Sequence, residues 1–423
     1  MRVGILASHP IQYQAPWFRA LSKHVDLDVF FANRPDPAQQ GRGFGKPFTW
    51  DVDLLSGYRH LFLENRSANP SVNHFFGCNT PGIREIIATK RFDAFIATGW
   101  SLKSYWQAIR ACRRHGVVIL VRGDSQLQTP RSFPSRAWKQ WTHRLALRQF
   151  DGFLSVGRRN REYLLHYGVA EEKIFFVPHF VDNERFAQQA NEIRKSKLEI
   201  RKQWNIPQDA FCVLFCGKFI PKKRPMDLVK AAQRLVKDSA VRDRRYSSVH
   251  LLFVGSGELG GKLRANCNVV FDAENPNSSP LTHDSLATPK HREGGSLPNA
   301  SFAGFLNQTE IARAYVAADV LVLPSDGRET WGLVVNEAMA CGLPAVVSDT
   351  TGCAPDLIEE GKTGFRFSVG DYDQLAARLE TIAGLKQPRT EFGPALASKL
   401  QDYSIERAVA GTMEAIEATV TKR

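Results

Sequence analysis

Short apolar, β-branched runs punctuate the first 180 residues: RVGILAS (2–8), DLDVFFA (26–32), FDAFIAT (92–98), GVVILVR (116–122), DGFLSV (151–156) and KIFFVP (173–178). Amphipathic stretches lie between them, at Ala15 to Lys23, Ser101 to Arg114, Ser135 to Gln149 and Arg158 to Tyr167. Strands separated by helical segments predict a parallel sheet with helices on both faces. The alternation restarts with FCVLFC (211–216), VHLLFV (249–254), DVLVLP (319–324) and PAVVSD (344–349). The polar, helically patterned stretch Asn183 to Trp204 separates the two series. The pattern therefore predicts an α/β protein of two domains, over 1–185 and 186–403, each a parallel sheet with helices on both faces. A final helical stretch over 404–423 is expected to pack back towards the first domain, and residues 272–300, with four prolines and no periodicity, read as a mobile surface insertion.

Length and composition agree: 423 residues, with 43% hydrophobic and 23% charged, suit two soluble cores and exclude global disorder. No apolar run approaches the roughly 18 to 20 residues that span a bilayer. Seven cysteines contain no C-x-x-C pair, which points to a reducing cytosol and away from zinc. A net charge of +13 predicts anionic partners, whether phosphates, nucleic acid or a membrane surface, without choosing among them.

Open parallel sheets bind ligands outside the carboxyl ends of their strands. In the first half those ends carry Ser8-His9-Pro10, Gly99-Trp100 and Arg122-Gly123-Asp124; in the second, Gly217-Lys218, Gly255, Ser325 to Gly332 and Asp349 to Gly352. The richest stretch is GRETWGLVVNEAMACGLPAVVSD (327–349). Glu329 sits in the loop after a strand, Gly332 admits close backbone approach, and the following helix offers unpaired amides to a phosphate. Glu337 follows eight residues later, so both carboxylates can line one cleft and accept hydrogen bonds from vicinal hydroxyls. In CGKFIPKKRP (216–225), Lys218 and Lys223 follow a strand and a glycine, a placement suited to neutralising a pyrophosphate; KKR by itself is more often a solvated charge run. Two other strings carry less. GSGELG (255–260) satisfies a dinucleotide fingerprint but does not follow the first strand of its domain, and Asp51-Val52-Asp53 is a D-x-D without the apolar strand that normally precedes a metal-binding one.

Taken together these residues resemble the retaining glycosyltransferases of family 4, and the resemblance implies their GT-B architecture, two Rossmann-like, doubly wound domains facing across a cleft. The likeness runs through Gly217-Lys218 with Lys223, VGSGEL (254–259), FAGF (302–305), Glu329-x7-Glu337, GLPAVVSDTTG (342–352) and EEGKTGF (359–365), and VPHFVDNERF (177–186) is similar to the family's hinge motif. The resemblance implies a hexosyl transfer from a nucleoside diphosphate sugar, UDP- or GDP-linked, with retention, in polysaccharide or glycoconjugate biosynthesis. Glu329, Lys218 and Lys223 would be catalytic. Gly217, Lys218, Lys223, Gly255, Glu329, Gly332, Leu333 and Glu337 would bind the donor, with no metal or other cofactor. Lys218 stands where the family usually has Arg, a point charge in place of a planar fork. Arg122-Gly123-Asp124 replaces the usual His, so Asp124 is a candidate substitute. His9, Gln12, Arg122 and Asp124 are candidates for the acceptor.

The acceptor reads as a saccharide or a lipid-linked saccharide. Residues 131–150 carry five Arg or Lys and no acid, with Trp138, Trp141, Leu145 and Phe150 at roughly helical spacing. That composition suits an anionic membrane surface, which would make the protein cytoplasmic and peripheral at the inner face of the cell membrane; a packed helix with one solvated basic face is the other reading. A nucleotide-sugar epimerase or phosphorylase on the same fold, and a non-enzymatic polyanion-binding protein, are the alternative functions.

Overall fold

The computed structural model describes residues 1–130, 133–237, 246–275, 291–292, 295–385 and 387–422. Most of the expected insertion, 276–290 and 293–294, lies outside the described residues; its described margins include a two-residue ribbon, His291–Arg292 against Gly295–Ser296. The chain divides into two compact units. One holds Met1–Gln40, Phe48–Asp182 and Asp402–Arg423, the other Gly41–Pro47 and Asn183–Gln401.

The first unit is built on β1 (Arg2–Ala7), β2 (Asp26–Phe31), β3 (Arg59–Phe62), β4 (Ala94–Ala97), β5 (Val118–Gly123), β6 (Gly152–Ser155) and β7 (Ile174–Phe176). They form one parallel sheet in the order β3-β2-β1-β4-β5-β6-β7. Alternate residues feed two cores: Leu6, Phe30, Phe95 and Ile119 on one face, Val3, Ile5, Val29, Ile96 and Leu120 on the other. With both faces covered, these strands read as unbroken apolar runs. The helix Ile405–Val420, capped by Ser404 accepting from the Arg407 amide at 3.1 Å, adds Ala408, Val409, Ala415 and Ile416 to the second of these cores.

In the second unit β8 (Ala210–Cys216), β9 (Ser248–Val254), β10 (Asn268–Asp272), β13 (Asn299–Gly304), β14 (Val320–Leu323), β15 (Ala345–Ser348) and β16 (Gly364–Phe367) pair in parallel as β10-β13-β9-β8-β14-β15-β16, the ribbon above supplying β11 and β12. The polar stretch before β8 is two short helices, Asn183–Ile193 and Lys197–Gln203, with a 3-10 turn between. A buried clamp anchors them: Arg201, 2% exposed, donates to Asp319 at 2.7 Å, while Lys197 and the Cys212 amide reach the same carboxylate at 2.9 Å each. In each unit the strand order reverses beside the first strand, between β1 and β4 and between β8 and β14. A crevice opens at such a switch point, outside the strand ends.

Candidate active site

At the switch point of the second unit, β8 runs into Gly217 and Lys218, and a 3-10 turn, Pro221–Lys223, follows. Arg224 closes that turn at φ +49° and donates to Asp227 at 2.7 Å, at the start of the helix Pro225–Lys237. This local geometry separates the basic run: Lys222 stays 38% exposed, while Lys223 turns inward to 13%. So KKR is not a uniform solvated face. Gly217 and Gly255 close the ends of β8 and β9, their amides donating to Val254 O at 2.9 Å and Gly304 O at 2.7 Å.

Past β14, the loop that carries Glu329 is pinned from several sides. The Asp326 amide donates to Lys222 O at 2.9 Å, the Gly352 amide to Glu329 O at 3.0 Å, and the Cys353 amide to Trp331 O at 3.0 Å. Trp331, 4% exposed, donates its indole N–H to Asn336 Oδ1 at 2.8 Å. Held this way, the Glu329 carboxylate meets Lys223 Nζ at 2.7 Å, with Lys222 at 3.9 Å. Burial works to raise the pKa of Glu329, but Lys223 and Lys222 hold it below the usual carboxylate range. Lys218 is pushed the other way, below the usual range for lysine, by burial and by its like-charged neighbours Lys222 and Lys223.

Gly332 sits at φ +105°, and a Cβ there would lie 2.6 Å from Leu323 Cδ2; only glycine lets the loop pass this close to the end of β14. Leu333 then immediately precedes the helix Val334–Ala340, with no side-chain cap for its first amides. This helix has only seven residues, so what it offers an anion is first-turn amides, with little of a long helix's dipole.

Glu337 differs most from the sequence-based picture of two carboxylates lining one cleft. It is 3% exposed, on the buried face of its helix, and accepts a 2.5 Å hydrogen bond from Tyr315 OH. Burial pushes its pKa up to about 7, against the pull of Tyr315, Arg185, Gln308 and Lys223. Lys223 thus influences both acids of the motif. Arg185, Gln308 and Tyr315 escaped the sequence reading. Arg185 donates to the Gln308 side chain at 2.8 Å and its carbonyl at 3.0 Å; it lies in VDNERF, the hinge-like string, whose charged residue was the available signal.

The acceptor candidates all lie in the first unit, at the carboxyl ends of β1 and β5. His9 bonds Ser8 Oγ at 2.9 Å and burial lowers its pKa to about 4, so its ring is neutral at physiological pH. Gln12 is buried at 7%. Arg122 is also 7% exposed, donates to Pro178 O at 2.9 Å, and has the rings of Trp17 and Phe180 within 5.4 and 5.7 Å of its guanidinium carbon. It is packed as a buried cation, whereas Asp124 two residues on is exposed. Asp53 of the D-x-D accepts from the Leu55 and Ser56 amides at 3.0 and 3.2 Å, the bonding of a turn.

Sequence comparison bears directly on this arrangement. A profile described as "Glycosyl transferases group 1" matches residues 210–384, and one described as "Glycosyltransferase Family 4" matches 17–185. The chain belongs to the group 1, family 4 glycosyltransferases. It is 42% identical over 107 residues to the sulfoquinovosyl transferase SQD2 of Arabidopsis thaliana, covering 25% of this chain and 21% of that one. It is 30% identical over 262 residues to the D-inositol 3-phosphate glycosyltransferase of Pseudarthrobacter chlorophenolicus, covering 62% and 54%. The matches span about half the length of these curated relatives, or less. Among solved structures, HepE of Anabaena in complex with UDP and glucose superposes with a TM-score of 0.62 at 16% identity, covering 99% of both chains. Sucrose-phosphate synthase of Thermosynechococcus elongatus gives 0.65 at 16%, covering 100% of both. At that identity the likeness establishes the two-domain, Rossmann-like GT-B fold.

Proposed function

We propose that the protein transfers a hexosyl group from a UDP- or GDP-linked donor to a saccharide or lipid-linked acceptor, with retention at the anomeric carbon, in the assembly of a polysaccharide or glycoconjugate. The observation that carries this reading is the Lys223–Glu329 pair at the switch point between β8 and β14. Without ligand the two charges satisfy each other. A donor diphosphate competes for Lys223, and the carboxylate of Glu329 is then available to the sugar hydroxyls. Lys218 and Lys223 stabilise the charge that develops as the bond from C1 to the diphosphate oxygen breaks. The acceptor oxygen forms the new bond to C1 on the same face, and its proton passes to the departing phosphate oxygen. The family resemblance assigns Glu337 to the ribose hydroxyls, which it meets only where they take the place of its Tyr315 hydrogen bond, and Gly217, Gly255, Gly332 and Leu333 give backbone approach to diphosphate and sugar. No metal is required in this scheme. His9, Gln12, Arg122 and Asp124 belong to the acceptor side. HepE, which shares the fold, is described in complex with UDP and with UDP-glucose, which favours a uridine donor.

A specific surface feature supports the lipid-linked acceptor. On the helix Phe133–Leu147, Trp141 and Leu145, one turn apart, are 73% and 47% exposed, beside exposed Arg144 and Arg148. An apolar pair flanked by arginines fits an anionic bilayer surface and supports the reading of peripheral attachment at the cytoplasmic face. Phe150 is instead part of the core at 2% exposure. Arg131, Ser132 and the side chains up to Trp138 lie outside the described residues. No described helix is long and apolar enough to cross a membrane.

Thermal shift against UDP, GDP, ADP and their hexose conjugates tests the donor assignment: a ligand at about 100 times its Kd stabilises by about 2.7 kcal/mol. Glu329→Gln then separates the roles. It removes the negative charge that competes with the diphosphate for Lys223, so UDP binds as tightly as to wild type or more tightly, while transfer falls about 100-fold. Transfer at the wild-type rate would refute the assignment.

A further inference from the structure

The second unit contains one segment from far upstream. The chain leaves the first unit after Gln40, contributes Gly41–Pro47 (GRGFGKP) to the second, and returns at Phe48. This strap lies against the strand ends just described. Lys218 Nζ donates to Arg42 O at 2.7 Å, and Ser256 Oγ donates to Phe44 O at 2.6 Å. The Phe44 ring packs edge-on to Phe305, with centroids 4.9 Å apart, and Lys218 Nζ lies 5.1 Å from the Phe44 centroid. Gly43, at φ +86°, passes so near that a Cβ there would sit 2.9 Å from Lys218 Cδ.

Three features indicate what the strap does. A lysine ammonium has three donors and a flexible four-carbon stem, so it holds one position only where something fixes it. The Arg42 carbonyl uses one donor and leaves two. The strap covers the Lys218 and Gly257 side, where a Cβ on Gly257 would lie 3.1 Å from Gly43 O, whereas beside Gly217 the nearest atom is Lys223 Cε at 3.9 Å from a Cβ position. The cradle is walled on one side and open on the other.

We propose that Gly41–Pro47 is a wall of the donor site that positions Lys218 for the diphosphate, with Phe44 as its anchor. This rests on the reading of Lys218 and Lys223 as diphosphate ligands. Removing the anchor lets Lys218 swing through its rotamers and loosens the wall, and the loss falls on donor binding.

The test measures the affinities of UDP, GDP and ADP for wild type, Phe44→Ala, Phe44→Tyr and Lys223→Met. The tightest of the three nucleotides binds Phe44→Ala about tenfold more weakly, and Phe44→Tyr restores it. Transfer shows the loss in donor kcat/KM, with donor KM raised and kcat lowered together because Lys218 serves both binding and the developing charge, and Phe44→Tyr recovers both. Trypsin cleavage after the exposed Arg42 slows when the nucleotide binds wild type, and in Phe44→Ala it is fast with or without nucleotide. If wild type binds a nucleotide, Lys223→Met does not, and Phe44→Ala binds as well as wild type or better, the strap assignment is overturned and the donor site stands. Cleavage that accelerates on nucleotide binding also overturns it, because the strap would then be displaced. If wild type binds none of the three, both readings fail.

Discussion

Replacing Glu337 with Gln should remove a pH dependence built into the second unit. The wild-type acid is wholly buried beside Tyr315, and its pKa is pushed up to about 7 from an ordinary 4.5. Between these values the native state binds more protons than the unfolded chain, so stability falls as pH rises. The contribution of the neutral acid is complete below about 4.5 and lost as pH rises through about 7. The difference between the two pKa values corresponds to about 3 kcal/mol. Glutamine preserves shape and an acceptor for the Tyr315 hydroxyl but cannot ionise. Urea titrations across about pH 5 to 8, read by pulsed amide exchange of β14 peptides, follow the second unit by itself, which matters because a two-unit chain need not unfold in one step. The stability difference between variant and wild type should grow in favour of the variant by about 3 kcal/mol over that range. A difference that stays constant with pH would refute the reasoning, since every other titrating group is common to both proteins.

Other perturbations test separate parts of the structure. Gly332→Ala forces a side chain into φ +105° against Leu323 and should cost about 1–3 kcal/mol, visible as a lower melting temperature of the second unit; an unchanged melt would mean that the loop conformation is wrong. Asp319→Asn strips the charge from the carboxylate shared by Arg201, Lys197 and the Cys212 amide, and should destabilise by about 3–5 kcal/mol, measured by urea denaturation. Trp141→Ala combined with Leu145→Ala should abolish co-sedimentation with anionic vesicles while leaving the melting temperature unaltered; equal binding of both proteins, or failure of wild type to bind anionic vesicles, would remove the membrane reading.

The sheets were legible in the sequence because parallel strands covered on both faces read as continuous apolar runs, and all ten runs quoted above correspond to strands. Among the described strands of the two parallel sheets, those without such a run are β3, β10, β13 and β16. RHLF of β3 is an edge strand with three exposed residues out of four. NASFAG of β13 packs through small residues, and β16, only four residues long, keeps an exposed Arg366. The site was legible as far as local spacing reaches: Gly217 to Lys223 and Glu329 to Glu337 each lie on one strand-to-helix passage. Arg185, Tyr315 and the Gly41–Pro47 strap come to the same unit from elsewhere in the chain; the hinge-like string VPHFVDNERF carries Arg185 but says nothing of its partner, and no local pattern marks Tyr315 or the strap.

Two buried ion pairs among the described residues of the second unit, at Asp319 and at Glu329, show why one can be assigned to structure and the other to chemistry. Asp319 is saturated: two cations and a backbone amide use its oxygens, and Arg201 spends its remaining donors on the carbonyls of Ala317, Pro207, Gln208 and Ala210 at 2.9 to 3.3 Å. An anion arriving there could form no bond without breaking a better one. Lys223 and Glu329 are each 13% exposed, and their environment is unbalanced: Lys222 and Lys218 add positive charge, while the neighbouring carboxylate of Asp326 is already paired with Arg328. Burying such an excess is unfavourable in the absence of ligand, and a bound diphosphate corrects it. The imbalance also predicts salt dependence, because nucleotide affinity should weaken with ionic strength more in wild type than in Lys222→Ala, and equal slopes for the two proteins would count against the electrostatic account.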